Sequence, residues 1–293
     1  MSDKSKIEWT DATWNPVTGC TKVSEGCRNC YAMTLAERFR GTTGHYYEHG
    51  FDITLRPEKL DQPLRWKRPR KIFVNSMSDM FHPDVPFEYI RAVWARMALC
   101  PQHTFQVLTK RPERALAYFA WMRKQEFKVE EALPNVWLGV SVENQKAADE
   151  RIPLLLQTPA VVRFLSCEPL LEEVNIWRWI DPIRTGWPTP QEIHQVIAGG
   201  ESGHKARPMH PEWARSLRDQ CLDADVPFFF KQWGEWIGFH EAAHSQCLSP
   251  AVEKRAKWFT FSEGGSVLRV GKQNAGRELD GREWNEFPEV VHS

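Results

Sequence analysis

The sequence predicts an α/β protein, a partial (β/α) barrel of parallel strands with a small β-rich C-terminal appendage. Three observations lead there. Short apolar runs alternate with amphipathic helical stretches from residue 8 to residue 233. The runs IFV, VWLGV and VPFFF are apolar at every position rather than at alternate ones. The rhythm then stops at Gly234. Alternating strands and helices build a parallel sheet with helices packed on it, and continuous apolarity means that both faces of the sheet are covered. The domains expected are residues 1–233, the barrel, and residues 234–293, a cap or lid.

Glu8 to Val17 alternates, holds two tryptophans and reads as the first strand; Tyr31 to Arg40 reads as a helix. Gly41 to Phe51 is turn-rich, and its His45-x3-His49 pair has a metal-binding spacing, but the flanking glycines argue against a helix there. Lys71 to Ser76 is a compact apolar strand ending abruptly in the polar Asn75 and Ser76, followed by Pro86 and a helix to Cys100 whose Ile90, Val93, Trp94 and Met97 form one apolar stripe. The unit recurs. Thr104–Thr109 leads to a helix near 114–124, Val136–Val142 to one through Leu156, and Val161–Leu165 to a proline-rich stretch reaching Pro190. Gln195–Ala198 leads to a helix opening at Pro211, and Val226–Phe230 closes the series as the seventh candidate strand. In the tail, Lys257–Phe261 and Val267–Val270 bracket Gly264-Gly265 as a hairpin, and Asp280-Gly281 marks a further turn. Gly271-x4-Gly276-Arg277 echoes a phosphate-binding loop but lacks the Lys-Ser/Thr pair.

The 293 residues suffice for one such domain with its appendage. Hydrophobic residues make up 42% and charged residues 26%, which predicts a packed core. Lys plus Arg and Asp plus Glu stand at 38 each, so no global field draws the chain onto nucleic acid or anionic lipid, and any such contact needs a local patch. The dense basic run is Arg65 to Lys71, whose Trp66 could stack on a base; a solvated helix end is its other reading. The first residues carry no apolar run, and no stretch approaches the ~18 apolar residues of a membrane span. A cytoplasmic protein without membrane contact is expected.

The chemistry centres on Trp14-Asn15-Pro16-Val17-Thr18-Gly19-Cys20 and Gly26-Cys27-Arg28-Asn29-Cys30-Tyr31-Ala32. Cys20, Cys27 and Cys30 lie within eleven residues, spaced C-x6-C-x2-C, with glycine before the first two. Thiolates at this density read as soft-metal ligands rather than disulfide partners. Structural zinc takes four protein ligands, so three local thiols suit a cluster with one open iron; a zinc knuckle, or three unrelated core cysteines, is the alternative.

At these residues the chain resembles the radical S-adenosylmethionine superfamily, whose signature C-x3-C-x2-C loop follows the first barrel strand; the first spacing here is six residues. Together with Ser166-Cys167-Glu168-Pro169-Leu170, Gly199-Gly200-Glu201-Ser202-Gly203 and Phe230-Lys231-Gln232-Trp233-Gly234, it resembles a phage- and prophage-associated family of three-cysteine-motif proteins. The resemblance implies a 4Fe-4S cluster on Cys20, Cys27 and Cys30 and S-adenosylmethionine on the open iron. It implies reductive cleavage of that cofactor to a 5′-deoxyadenosyl radical, which abstracts hydrogen from the substrate, and an electron-donor protein as partner.

In α/β sheets of this kind, chemistry gathers at the carboxyl ends of the strands. The superfamily holds the methionine amine with Gly-Gly-Glu at the end of the second strand, where this chain has Asn75, Ser76 and Asp79. Ser141, Glu143 and Asn144 are candidates for ribose hydroxyls, and Gly199 and Gly200 for a turn that lets backbone approach the cofactor. Glu168, Lys231 and Glu201 are the candidate catalytic residues, with Lys110 and Arg111 also lining the substrate pocket. Any of these could equally be a rim ion pair. The substrate is not encoded legibly; phage association and the basic run favour a nucleobase or nucleic acid, and a peptide stays open as the alternative. A rival reading is His240-Glu241-x-x-His244, literally the H-E-x-x-H of zinc hydrolases, though glycines upstream and Pro250 downstream leave little helix to carry it. A second rival is a non-catalytic nucleic-acid module stabilised by zinc at the cysteines.

Overall fold

The computed structural model describes residues 5, 7–125, 132–181, 192–244, 254 and 256–289. The protein is of the α/β class, with seven parallel strands ordered along the sheet as they are in the chain. It divides into two compact units, one of residues 1–140, 153–163 and 291–293, the other of residues 141–152 and 164–290.

In the first unit, β1 (Ala12–Trp14), β4 (Lys71–Val74), β5 (Thr104–Thr109) and β6 (Val136–Ser141, its last residue outside the unit) pair in parallel, with Ala12 opposite Ile72, Ile72 opposite Phe105 and Phe105 opposite Val136. The first strand is shorter than expected because Pro16 cannot donate to a ladder. Past it, β2 (Val17–Thr18) pairs antiparallel with β3 (Thr54–Leu55). Helix α1 spans Tyr31–Glu37 and stops short of Arg40, whose guanidinium folds back onto Glu37 at 2.6 Å and Asp52 at 2.9 Å. Helix α2 (Phe87–Ala98) buries Ile90, Val93, Trp94 and Met97, the expected stripe. Helix α3 (Pro112–Met122) opens on a proline at its first turn, where no amide is missed, and buries Ala115, Tyr118, Phe119 and Met122.

In the second unit, β7 (Val162–Cys167) begins two residues outside and pairs with β8 (Gln195–Gly199), which pairs with β9 (Phe228–Gln232), all in parallel. Every residue of β7 and β8 is buried, as continuous apolar runs require. Most of α4 (Gln145–Leu155) and the short α5 (Trp177–Ile180) precede α6 (Pro211–Asp223), whose N-cap His210 accepts from Glu212 N at 3.1 Å. Three strands, β10 (Trp236–Gly238), β12 (Ser266–Arg269) and β11 (Lys257–Thr260), form an antiparallel sheet that contains the predicted hairpin. Between them in the chain lies α7 (Phe239–His244), and after them α8 (Lys272–Ala275), a turn of helix inside the glycine-flanked stretch. Strands β13 (Glu278–Leu279) and β14 (Arg282–Glu283) close over Asp280 and Gly281, both at positive φ, as a two-residue hairpin turn demands. The segment after β14 returns to the edge of β9, where Phe230 N donates to Trp284 O at 3.0 Å, so that edge is covered. Pro190 and its neighbours at 182–191 lie outside the described residues. No described helix is long and apolar enough to cross a membrane.

Candidate metal and cofactor site

In the first unit three strand ends are laced together. Leaving β1, the buried Asn15 accepts at Oδ1 from Met77 N at 3.0 Å and Ser76 Oγ at 3.2 Å, joining the loop after β1 to the loop after β4. Ser78 Oγ donates to Val17 O at 2.8 Å, and Gly19 N to Met77 O at 3.0 Å. Gly19 sits at φ +89, and a Cβ there would lie 2.2 Å from Asp52 O, so the chain can enter the cysteine loop by this route only with glycine.

The third strand end supplies Arg111, expected at a substrate pocket but found buried beside the first cysteine. Its Nη1 donates to Cys20 Sγ at 3.4 Å and Asp79 Oδ2 at 3.0 Å, and its Nη2 to Thr21 O at 2.9 Å. Asp79 in turn accepts from Thr109 Oγ1 at 2.8 Å and from the backbone N–H of Phe81 and Lys110, each at 3.0 Å. Burial, reinforced by the Asp79 charge, pushes the Cys20 thiol up against the opposing pull of Arg111, and Cys27 is near enough to add to the rise.

Cys20, Cys27 and Cys30 are free and half-buried. Cys20 and Cys30 pack on Ala32, Ala36, Phe51 and Met77. Tyr31 OH donates to Ser76 O at 2.6 Å, tying the start of α1 to the second strand end. Among the described residues, no three His, Cys, Asp or Glu side chains are gathered as around a single metal ion. Three free thiols are the donors, in type and number, that an iron–sulfur cluster with one open iron takes from a protein.

Asn75 is the second observation bearing on a cofactor. It directly follows β4 at φ 61, it is 3% exposed, and neither its Oδ1 nor its Nδ2 has a hydrogen-bond partner. A buried unpaired donor or acceptor costs about 1–3 kcal/mol, and a left-handed backbone at a non-glycine residue adds strain. Such a residue fits a ligand with both an acceptor and a donor, as the amine and carboxylate of an amino-acid moiety provide.

In the second unit, the side chains expected at ribose are engaged within the protein. Arg151 pairs with the fully buried Glu143 at 2.7 Å and donates to Ser141 O at 2.8 Å, and Asn144 Oδ1 accepts from Ala147 N at 2.8 Å, capping α4. Glu201 receives Arg207 at both carboxylate oxygens, 2.7 and 3.0 Å. Gly199 and Gly200 have a packing reason: a Cβ on Gly200 would lie 1.9 Å from Trp233 O, so the backbone pressed against it is the protein's own. Glu168 and Lys231 do meet, with Lys231 Nζ 2.6 and 2.8 Å from the two carboxylate oxygens. Gln232 joins them, its Nε2 2.8 Å from Ser202 Oγ and 3.4 Å from Glu168 Oε1.

The rival motifs fare differently. Glu241, on a helix of only six residues, is ion-paired with Arg215 through Oε1, while its buried Oε2 has no hydrogen-bond partner. The side chain of His244 lies outside the described residues. A cavity of about 560 Å³ lined by Arg215, His240, Glu241, Asn274 and Arg277 lies among these tail elements, and none of the strand-end residues lines it. Trp66 is 6% exposed and covered by Arg70, 5.0 Å from its ring, so it is not free to stack on a base. His45 stacks on Phe39 at 3.9 Å in a turn segment.

Arg111, Asn15 and Gln232 had no assigned role, or a different one, in the sequence; for Arg111 the only signal was its place at a strand end. No curated protein matches the sequence. Among solved structures, spore photoproduct lyase complexed with dinucleoside spore photoproduct is similar at 9% identity over 86% of this chain and 66% of that one, with a TM-score of 0.40. At that score the likeness carries no inference about fold or activity, and the chain spans 66% of that protein's length. A family model matches residues 4–288, and the chain belongs to that family, described as a protein of unknown function (DUF5131).

Proposed function

We propose that the protein is a radical S-adenosylmethionine enzyme acting on a nucleobase or nucleic acid. The observation that carries the reading is the orphaned carboxamide of Asn75, on a strand end bonded directly to the loop that holds three free thiols. Cys20, Cys27 and Cys30 hold a 4Fe-4S cluster, and Asn75, with Ser76 beside it, holds the amino-acid end of S-adenosylmethionine. When bound, the cluster supplies an electron to the sulfonium of S-adenosylmethionine and so breaks a carbon–sulfur bond. Arg111 and Asp79 position Cys20 and bring a compensated charge to the loop. Glu168 and Lys231 take polar groups of the substrate, and Arg207 fixes Glu201 in the loop after β8. An electron-donor protein is the partner this chemistry calls for. Neither rival gains an observation, since Glu241 is held by Arg215 and Trp66 is covered.

The test is iron, acid-labile sulfide and zinc content after anaerobic reconstitution, wild type beside Cys27→Ala, followed by S-adenosylmethionine cleavage under dithionite. The expected result is about four irons per chain, lost in the variant, with release of 5′-deoxyadenosine. Zinc without iron, and no cleavage product, overturns the proposal.

A further inference from the structure

Gln232 is 4% exposed, and its Oε1 has no hydrogen-bond partner. The orientation of the amide is fixed by its surroundings. The other amide atom faces Glu168 Oε1 at 3.4 Å and Gly200 O at 3.5 Å, both of which can only accept, so that atom is the nitrogen and the orphan is the carbonyl oxygen. Next in the chain, Lys231 places two of its three N–H groups on the carboxylate oxygens of Glu168, at 2.6 and 2.8 Å, and retains the third. The two side chains meet at Glu168 Oε1. They offer one unfilled acceptor and one unfilled donor from adjacent residues at the end of β9.

We infer that Lys231 and Gln232 form a recognition site for a ring lactam, the neighbouring C=O and N–H of a uracil-, thymine- or guanine-type base. A trans peptide amide points its N–H and C=O in opposite directions. An amide closed into a ring holds them side by side, so one ligand can engage two side chains that meet at the same Glu168 oxygen. Bases taken out of a stack are read by hydrogen bonds to this edge. The ligand N–H fills Gln232 Oε1 and the ligand carbonyl accepts from Lys231 Nζ, while Glu168 keeps the lysine charge compensated. Ser202 Oγ accepts from Gln232 Nε2 at 2.8 Å, and the acceptor-only Glu168 Oε1 and Gly200 O keep the amide from turning over. The inference rests on the proposed function only in taking this corner as the substrate end. It specifies which bases fit, those with a ring N–H beside a carbonyl, and excludes cytosine and adenine.

The test is equilibrium binding without reductant, on reconstituted and metal-free protein alike, so that its outcome is independent of the iron measurement. Uridine is compared with N3-methyluridine and cytidine, and thymidine with a short thymidine oligonucleotide, which separates the free nucleoside from the strand as source. A site built to hydrogen-bond an N–H rejects the analogue lacking it, so uridine should bind at least about tenfold tighter than its N3-methyl derivative. Gln232→Leu, its fold verified by thermal melting, should abolish that difference. If Gln232→Leu does not fold, Lys231→Met tests the donor half: the wild-type preference for uridine over 4-thiouridine, whose sulfur accepts poorly, should vanish. Equal binding of uridine and N3-methyluridine, no binding of any probe at millimolar concentration, or a preference that survives in the variant overturns the inference.

Discussion

Asn75 unites two unfavourable features, a left-handed backbone and a buried carboxamide without partners. Asn75→Gly removes both, at the expense of unfolded-state entropy of roughly 0.5–1 kcal/mol. Urea unfolding of the cofactor-free protein should therefore show stability unchanged or higher by about 1 kcal/mol, while S-adenosylmethionine affinity falls by about tenfold or more. A loss of stability without a loss of affinity would make Asn75 a structural residue. The cysteines were legible in the sequence because they lie close together in it and their chemistry is particular. Arg111 was not, because 91 positions separate it from Cys20 and only the parallel pairing of β1, β4 and β5 brings them within 3.4 Å. Ser141, Glu143 and Asn144 were noticed for their place at a strand end, but a sequence gives no sign that Arg151, eight residues on in α4, takes the Glu143 carboxylate.

At the scale of elements, strand and helix order was readable from apolar periodicity, and the lengths of the first strand and of α1 were not. Pro16 ends the first strand because it has no N–H to donate, a local signal, whereas the Arg40 clamp on Glu37 and Asp52 follows α1 through contacts that propensity does not register. The glycines after β8 carry a sharper consequence. The strand pairing shifts register between Ala198 and Gly199, and Gly200 then runs against Trp233 and Gly234 of the loop after β9. A Cβ on Gly199 meets Gln232 O at 3.3 Å, whereas one on Gly200 meets Trp233 O at 1.9 Å. Gly200→Ala should cost about 3 kcal/mol or more in urea unfolding, and Gly199→Ala about 1 kcal/mol or less. Equal effects would mean that the two loops part easily. Close approach of a backbone asks for glycine whether a ligand or the protein's own chain approaches, so the sequence alone did not reveal the packing of Gly200 against Trp233.

At the scale of the molecule, the six described cysteines fall into two populations by exposure. Cys20, Cys27 and Cys30 are half-buried, whereas Cys100, Cys167 and Cys221 are 0% exposed and burial pushes their thiols up. Iodoacetamide should label the first three in folded, metal-free protein and the last three only after unfolding, as read by peptide mass spectrometry. Reconstitution should protect the first three, and protection of any other set would remove the loop as the metal site. The two candidate sites, by contrast, divide between the two units. The side chains around the thiols come from residues 15–111, and the Glu168, Lys231 and Gln232 corner from residues 168–232. On the proposed function, a gene arranged this way could alter what its product recognises by exchanging codons in one stretch and leave the other stretch unchanged. Descendants of one ancestor can thus inherit a common reaction and differ in the molecule they act upon.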